Sequence, residues 1–408
     1  MFIKPKKLSE LLGDFLELNS KTSTSRREHL SSAIATMLLL TAVPQRARST
    51  SETNESSSAI IQGGFSGFPK QYGIANQVEP EQFKNKRAFR LDLTKRKLTE
   101  ISSVVPIHSL ESPALNPAIA VGIPRKCDTV SLFDWSSRTE ARTLKLPAGR
   151  LFYGHGAFTD DGKTILATVS HYENGETIDF IYHIDVASLK IEAQIRFPAG
   201  ICHDLVSMGQ EVFAIAGSSD DDIRKGGHAK LSLYNSRSKK FSVLESPPLK
   251  KFDSGVLTLR HILRTREQTL LVASARSDGH KLLEAGLIEF NVQKKSAKEV
   301  LPIGTKLFEQ ELLSFVESDH GKFVWVTMPD LNQILVWNFH EQKIACVLKF
   351  ETSVRSIASF EPSGFIAVGT DSGFCAFDPR TFQRISSLES SWPKSSLDGL
   401  YCSHTRIV

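Results

Sequence analysis

The sequence predicts an all-β protein made of repeated four-stranded sheets. Beyond residue 60, short apolar or alternating segments are separated by Gly, Asp, Asn and Ser, and a sustained 3.6-residue period is lacking. One small pattern also recurs: an apolar or aromatic residue, then Asp or Asn, then a polar turn. Its copies are Leu91-Asp92, Phe133-Asp134, Ile184-Asp185, Tyr234-Asn235, Phe290-Asn291, Trp337-Asn338 and Phe377-Asp378.

The intervals between these copies identify the repeat unit. Successive Asp or Asn positions lie 40 to 56 residues apart, which matches four short strands and their turns. Each Asp or Asn is expected to end the third strand and to cap the turn into the fourth. The sequence therefore predicts a seven-bladed β-propeller, WD40/YVTN-like, over residues 59–408. Residues 399–408 would supply a strand to the first blade and close the ring.

The segment before the repeats has a different composition. Of the net charge of +5, most lies in residues 1–48, which carry eight basic and four acidic side chains. The charge therefore gives no reason to expect nucleic-acid binding. Arg26-Arg27 precedes an apolar run over residues 31–43 that is too short for a stable membrane span, and the segment resembles a twin-arginine (Tat) export signal. The alternative is a disordered basic tail or a small amphipathic helix over Leu8–Leu18.

These features set the expected organisation. Residues 1–47 form a Tat-like leader, residues 48–58 a flexible linker and residues 59–408 the propeller. We expect a periplasmic, monomeric protein.

A second recurrence consists of histidines that each open a unit. His108, His155, His203 and His261 follow one another at 47, 48 and 58 residues, and His404 lies close to three further periods on. Because the first strand of each blade begins near one mouth of the central channel, these five side chains are expected to converge there. Neutral imidazole is a common metal ligand, so the site would hold iron, copper, zinc or a haem edge. The alternative is that each histidine makes ordinary hydrogen bonds between blades.

Neighbouring residues extend this candidate site. Arg260 precedes His261 and would suit an anion or carboxylate, whereas Asp204 is an in-phase carboxylate. Cys202 and Cys402 lie close to in-phase histidines and would add thiolate ligands unless strand alternation turns them away. Propeller enzymes usually place several carboxylates with the histidines in the channel. Since such residues are scarce here, we expect a binding protein rather than an enzyme.

The segment Arg150-Leu151-Phe152-Tyr153-Gly154-His155-Gly156-Ala157-Phe158 resembles the most distinctive segment of the DUF1513 family. The likeness covers roughly residues 60–408, and this chain is a divergent member, with Ile201-Cys202 where the family usually has Gly-Pro. Members of the family resemble seven-bladed propellers with a Tat signal. They are often associated with iron-regulated operons that encode imelysin-type iron-uptake proteins and a dihaem thiol-oxidoreductase-like protein.

The resemblance has consequences for function, although the family has no established reaction. It implies a non-enzymatic metal- or haem-associated protein that serves iron acquisition. Periplasmic imelysin-like iron-uptake proteins or haem redox proteins would be its partners. The alternative is a protein–protein interaction scaffold in which the histidines are structural.

Overall fold

The structure is a computed structural model. It describes residues 60–67, 84–92, 95, 97–173, 176–198, 201–218, 228–248, 256–277, 282–301, 312, 314–360, 364–391, 400–402 and 406–407. These residues belong to one compact unit that runs from Ser58 to Val408. Among them, no helix combines the length and the apolar character needed to cross a membrane.

The strands are short and antiparallel and are numbered in chain order. The first twelve are β1 (Ile60–Gly67), β2 (Lys84–Asp92), β3 (Lys97–Ser102), β4 (Ser109–Glu111), β5 (Ile119–Ile123), β6 (Arg125–Cys127), β7 (Thr129–Asp134), β8 (Thr139–Lys145), β9 (Arg150–Phe158), β10 (Thr164–Glu173), β11 (Glu176–Asp185) and β12 (Lys190–Arg196). The next eight are β13 (Ile201–Gly209), β14 (Val212–Ser218), β15 (His228–Asn235), β16 (Lys240–Pro248), β17 (Val256–Arg264), β18 (Thr269–Ser277), β19 (Leu282–Asn291) and β20 (Ser296–Leu301). The last ten are β21 (Phe315–Ser318), β22 (Phe323–Met328), β23 (Gln333–Asn338), β24 (Lys343–Lys349), β25 (Val354–Phe360), β26 (Phe365–Thr370), β27 (Gly373–Phe377), β28 (Ser390–Ser391), β29 (Leu400–Cys402) and β30 (Arg406–Ile407). Short 3-10 turns occupy Pro329–Leu331 and Ser386–Leu388.

The sheets confirm an all-β propeller. Six blades each take four successive antiparallel strands from one stretch of chain: β4-β5-β7-β8, β9 to β12, β13 to β16, β17 to β20, β21 to β24 and β25 to β28. Strand β6 leaves the first blade and pairs with β9, so the second blade has a fifth strand at its inner edge.

The prediction of seven blades is wrong, because the described residues form six blades of this kind. The remaining sheet draws on both ends of the chain and has five strands, with β29 and β30 both pairing with β1, followed by β2 and β3. Two short C-terminal pieces therefore stand where one continuous strand was predicted. We call this assembly the terminal sheet.

The repeated Asp and Asn residues form the turns that the sequence predicts. Each accepts a hydrogen bond from a backbone N–H two or three residues further on, at 2.6 to 3.0 Å. In the six blades, the residue four positions after the Asp or Asn has a positive φ of 49° to 60°. A residue in the left-handed conformation at this position ends the turn and lets the chain enter the fourth strand. These turns confirm the repeat and its phase.

Hydrophobic clusters lie between neighbouring sheets. One, for example, joins Leu166 and Ile181 of the second blade to Leu205 and Phe213 of the third. The terminal sheet packs in the same way on two sides: Phe89 of β2 contacts the sixth blade, and side chains of β2 and β3 contact the first. A sheet that packs against a neighbour on each face can bury apolar side chains on both faces.

Candidate metal centre

Three of the predicted histidines lie at irregularities in the first strands of three consecutive blades. The pairing register shifts at His155 in β9, at His203 in β13 and at His261 in β17. An extra residue in one strand of a pair bends that strand and re-aims the side chain, and such bulges are frequent beside functional sites. Each histidine is therefore turned by its own bulge away from the regular alternation of its strand.

The three imidazole rings form a compact and nearly equilateral group. The ring centroids of His155 and His203 lie 5.2 Å apart, those of His155 and His261 also 5.2 Å, and those of His203 and His261 4.9 Å. One ring nitrogen of each residue lies within 4.8 Å of the others. A tetrahedral ion bound 2.0–2.1 Å from three imidazole nitrogens would hold those nitrogens about 3.4 Å apart. The three nitrogens would therefore have to approach one another by up to about 1.4 Å to bind a single ion.

A fourth histidine packs against this group. The ring of His108, which directly precedes β4, lies 5.0 Å from that of His155, edge to face. Its position explains Gly154, which has a φ of 109° and whose Cβ, if present, would lie 2.4 Å from Cδ2 of His108. A Cβ on Gly156 would lie 2.3 Å from Ile123 Cδ1. The Gly-His-Gly motif therefore makes room for the protein's own side chains on both sides of His155.

Asp204 connects two of the histidines. Its Oδ1 lies 3.3 Å from Nδ1 of His155, and its Oδ2 lies 3.8 Å from Nδ1 of His261. The carboxylate also accepts the backbone N–H groups of Leu205 at 2.8 Å and Ile262 at 3.0 Å. A carboxylate that holds Nδ1–H of a histidine fixes the tautomer in which Nε2 is available as a metal ligand.

Burial favours the neutral form of His203, and no described residue hydrogen-bonds one of its ring nitrogens. Burial lowers its pKa well below the ordinary value, and the nearby His261, His155, Arg260 and Arg125 lower it further. Its Nε2 is buried and accepts or donates no hydrogen bond within the described part of the chain. A buried polar atom in this state costs about 1–3 kcal/mol. A neutral imidazole with an unsatisfied buried nitrogen is what a metal ligand requires, so the residues fit an ion.

The other predicted site residues have different positions. Arg260 is half-buried beside His261, and Asp204 lies at the centre of the site as described above. The Cys202 side chain is buried in the hydrophobic cluster between the second and third blades, and burial raises the pKa of its thiol well above the ordinary value. The strand pairing thus turns Cys202 away from the histidines. The side chain of Cys402 and all of His404 lie outside the described residues.

The structure adds three residues that the sequence reasoning missed. The ring of Tyr153 lies 5.4 Å from that of His203, and the guanidinium of Arg125 stands 5.6 Å above the Tyr153 ring. Burial, with a contribution from Arg125, lowers the pKa of Lys126 to about 8. Both basic residues lie on β6. Their only sequence signal is the basic pair itself, between two apolar strands.

Comparisons with known proteins agree with this fold. The chain is similar to the solved structure of Kuenenia stuttgartiensis hydrazine synthase, with a TM-score of 0.51, 12% identity, and coverage of 70% of this chain and 86% of that one. At this identity the likeness concerns the fold alone. No protein of curated function matches the chain.

The model of the family described as "Protein of unknown function (DUF1513)" matches residues 108–394, from the first of the clustered histidines to the end of the sixth blade. Since this match covers well over half of the chain, the protein belongs to the DUF1513 family.

Proposed function

We propose that this propeller is a metal-binding protein whose ligands are His155, His203 and His261. The observation that carries the proposal is the convergence of three buried imidazoles from three blades, with ring nitrogens within 4.8 Å. Packing alone gives no reason for three bulged strands to present the same polar side chain to one point. The carboxylate of Asp204, 3.3 Å from Nδ1 of His155 and 3.8 Å from Nδ1 of His261, is the kind of outer partner typical of metal-bound histidines.

The ligand set favours a first-row transition ion. Imidazole suits zinc, copper, iron and nickel, whereas calcium and magnesium require several oxygen ligands. Asp204 is already occupied by backbone N–H groups and by the histidines. The three histidines are only 3 to 6% exposed. A bare ion can reach such enclosed nitrogens, whereas the macrocycle of a haem needs an open slot beside its ligand.

The proposal is tested by metal content and by single substitutions. The protein would be purified without a histidine tag, and its metals would be quantified by mass spectrometry before and after loading with iron(II), copper(II) or zinc(II). We expect about one ion per chain, and loss of that ion in His155→Ala, His203→Ala and His261→Ala. His340→Ala is the matched control, because His340 is an exposed histidine in the turn after β23.

The alternative function makes the opposite prediction. If the histidines only join blades, the wild type binds no ion under any loading condition, and the alanine variants lose stability without losing metal. The propeller would then serve as an interaction scaffold. Circular dichroism of each variant separates loss of metal from loss of fold.

We also propose that the terminal sheet closes the ring. Two contacts support this: Phe89 and Leu91 of β2 pack with Ala358 and Phe374 of the sixth blade, and Ile101 of β3 packs with apolar residues of the first blade. Pairing of β1 with β29 and β30 would then join the chain ends and remove exposed sheet edges. Deleting residues 400–408 should lower the unfolding temperature sharply, and an unchanged temperature would refute closure.

A place in iron acquisition and export to the periplasm remain proposals of their own. Export is supported by the resemblance of the leader, which lies outside the described residues, to a twin-arginine signal. A role in iron acquisition is supported by the association of the family with iron-regulated operons. Fractionation of cells that express the wild type or an Arg26→Lys, Arg27→Lys double variant tests export. The wild type should appear in the periplasm and the variant in the cytoplasm, and equal distribution would argue against the signal.

A further inference from the structure

The bulge that presents His203 is held from the neighbouring blade. In β13 the pairing register shifts between Cys202 and Asp204, so His203 lies outside the regular pairing with β14. The backbone N–H of Cys202 donates to Oδ2 of Asp179 at 2.5 Å, and Asp179 lies on β11 of the second blade. A bulge disrupts the ladder locally. Here a carboxylate from another sheet binds a backbone donor at the edge of the bulge.

Asp179 is itself fixed by its own blade. It pairs with Ser170 of β10, and its carbonyl oxygen accepts the N–H of Phe197, directly after β12, at 2.8 Å. Asp179 is also only 2% exposed. A charged acceptor on a regular, paired strand forms a strong hydrogen bond at a fixed position, so it restrains the strand that donates to it.

The same arrangement recurs at the next junction between blades. Oδ2 of Asp204 in the third blade accepts the N–H of Ile262, the residue that follows His261 in the bulge of β17. Two of the three proposed ligands therefore have a carboxylate of the preceding blade bound to a backbone N–H beside them. Asp204 also faces two imidazole rings, whereas the hydrogen bond of Asp179 acts on the strand itself.

Stability alone gives no reason for a carboxylate at this position. Burial raises the pKa of Asp179 to about 6, although the Cys202 N–H and the Ser170 hydroxyl favour the charged form. Folding therefore disfavours the ionised carboxylate, and an apolar side chain between the blades would avoid that cost. What the carboxylate holds is the bulge of β13, and that bulge aims His203.

We propose that Asp179 is a positioning residue of the metal site, which it supports by binding the N–H of Cys202. This hydrogen bond holds the bulge of β13 in the shape that directs His203 toward the other two histidines. The inference rests on the proposed metal site. A ligand whose backbone is already fixed loses less freedom when the ion binds, so the anchored bulge raises metal affinity.

The test compares substitutions that keep or remove the acceptor oxygen. Asp179→Asn keeps an oxygen that can accept the Cys202 N–H, whereas Asp179→Leu and Asp179→Ala have none. Competition with a chelator measures zinc(II) affinity, the visible spectrum of the cobalt(II)-loaded protein reports ligand geometry, and urea unfolding measures stability. We expect Asp179→Leu and Asp179→Ala to lower zinc(II) affinity about tenfold or more and to change the cobalt(II) spectrum. Asp179→Asn should bind zinc(II) within about threefold of the wild type and keep its spectrum.

Asp160→Leu is the matched control. Asp160 makes the same kind of contact between the same two blades, from its Oδ2 to the N–H of Gln210 at 2.7 Å, but lies outside the site. This variant should lose stability without losing zinc(II) affinity, and a loss of affinity equal to that of Asp179→Leu would refute a specific role for Asp179.

The remaining outcomes separate this inference from the metal site. Wild-type affinity and spectrum in folded Asp179→Leu or Asp179→Ala refute the inference and leave the metal site standing. An equal loss of affinity in Asp179→Asn does the same, because that variant keeps the acceptor. Two apolar variants of different size are used so that a side chain that fails to fit does not decide the result. Failure of the wild type to bind zinc(II) or cobalt(II) refutes the metal site and this inference together.

Discussion

The substitution Asp204→Asn removes the charge that organises the site and keeps its volume. In the wild type, both carboxylate oxygens face donors: Oδ1 accepts from Leu205 N–H and lies near His155 Nδ1, while Oδ2 accepts from Ile262 N–H and lies near His261 Nδ1. An asparagine has only one acceptor oxygen. Whichever way its amide is turned, its NH₂ group faces an N–H donor.

The size of the effect follows from these contacts. Hydrogen bonds to a charged group contribute about 1.5–3 kcal/mol each, so loss of one backbone contact together with the charge should destabilise the apoprotein by about 3 kcal/mol. Loss of an outer carboxylate that orients metal-bound histidines typically lowers metal affinity 10- to 100-fold. The variant should therefore fold, unfold at lower urea concentration, and bind metal much more weakly.

Two assays measure the two effects on Asp204→Asn. Urea unfolding gives the change in stability, and competition with a chelator of known affinity gives the change in zinc(II) affinity. Asp160→Asn is the control, because Asp160 also joins the second and third blades, through Gln210 N–H at 2.7 Å, but lies outside the site. Equal zinc(II) affinity in Asp204→Asn and the wild type would refute the role given to this carboxylate.

Three further predictions follow from local contacts. Gly154→Ala places a Cβ against the His108 ring and strains a positive φ, so thermal unfolding should show a clear loss of stability and cobalt(II) spectra a distorted site. Burial raises the pKa of Asp179 to about 6 from 3.8, so the folded state binds the proton more tightly than the unfolded state. The contribution of Asp179 to the free energy of unfolding therefore falls as the pH rises between those two values. Asp179→Asn should therefore raise the free energy of unfolding by about 2–3 kcal/mol at pH 7 and much less at pH 4, and an equal change at both would contradict this. Asp185→Ala removes the hydrogen bonds that the Asp185 carboxylate accepts from Ser188 N–H and Oγ–H. The urea midpoint should fall by an amount equivalent to about 1 kcal/mol. An unchanged midpoint would show that these hydrogen bonds do not stabilise the protein.

The repeat and its phase were predictable because they depend on local chemistry. An Asp or Asn such as Asp134 or Asn338 caps its turn through a neighbour two or three residues away, so the signal lies within one short segment. The blade count was not predictable in the same way. The terminal sheet depends on pairing of β1 with the chain end, more than 300 residues away in sequence, and on a break between β29 and β30.

The site was predictable as a set of residues but not as a geometry. The spacing of the histidines identified the strands that carry them, yet strand alternation alone does not reveal which of Cys202 and His203 points to the site. The bulge in β13 settles this in favour of His203. Arg125 escaped notice because the short β6 crosses to the neighbouring blade, and no periodic pattern in the sequence marks such a crossing.

The most direct test of the account is the stoichiometry of zinc(II) bound to the apoprotein, measured by isothermal titration beside the His203→Ala variant. His203 is the critical position because, among the residues that the structure describes, none hydrogen-bonds its buried Nε2. The account predicts one ion per wild-type chain and loss of that binding in a variant that remains folded. Absence of binding to the wild type, or unchanged binding to the folded His203→Ala variant, would contradict it.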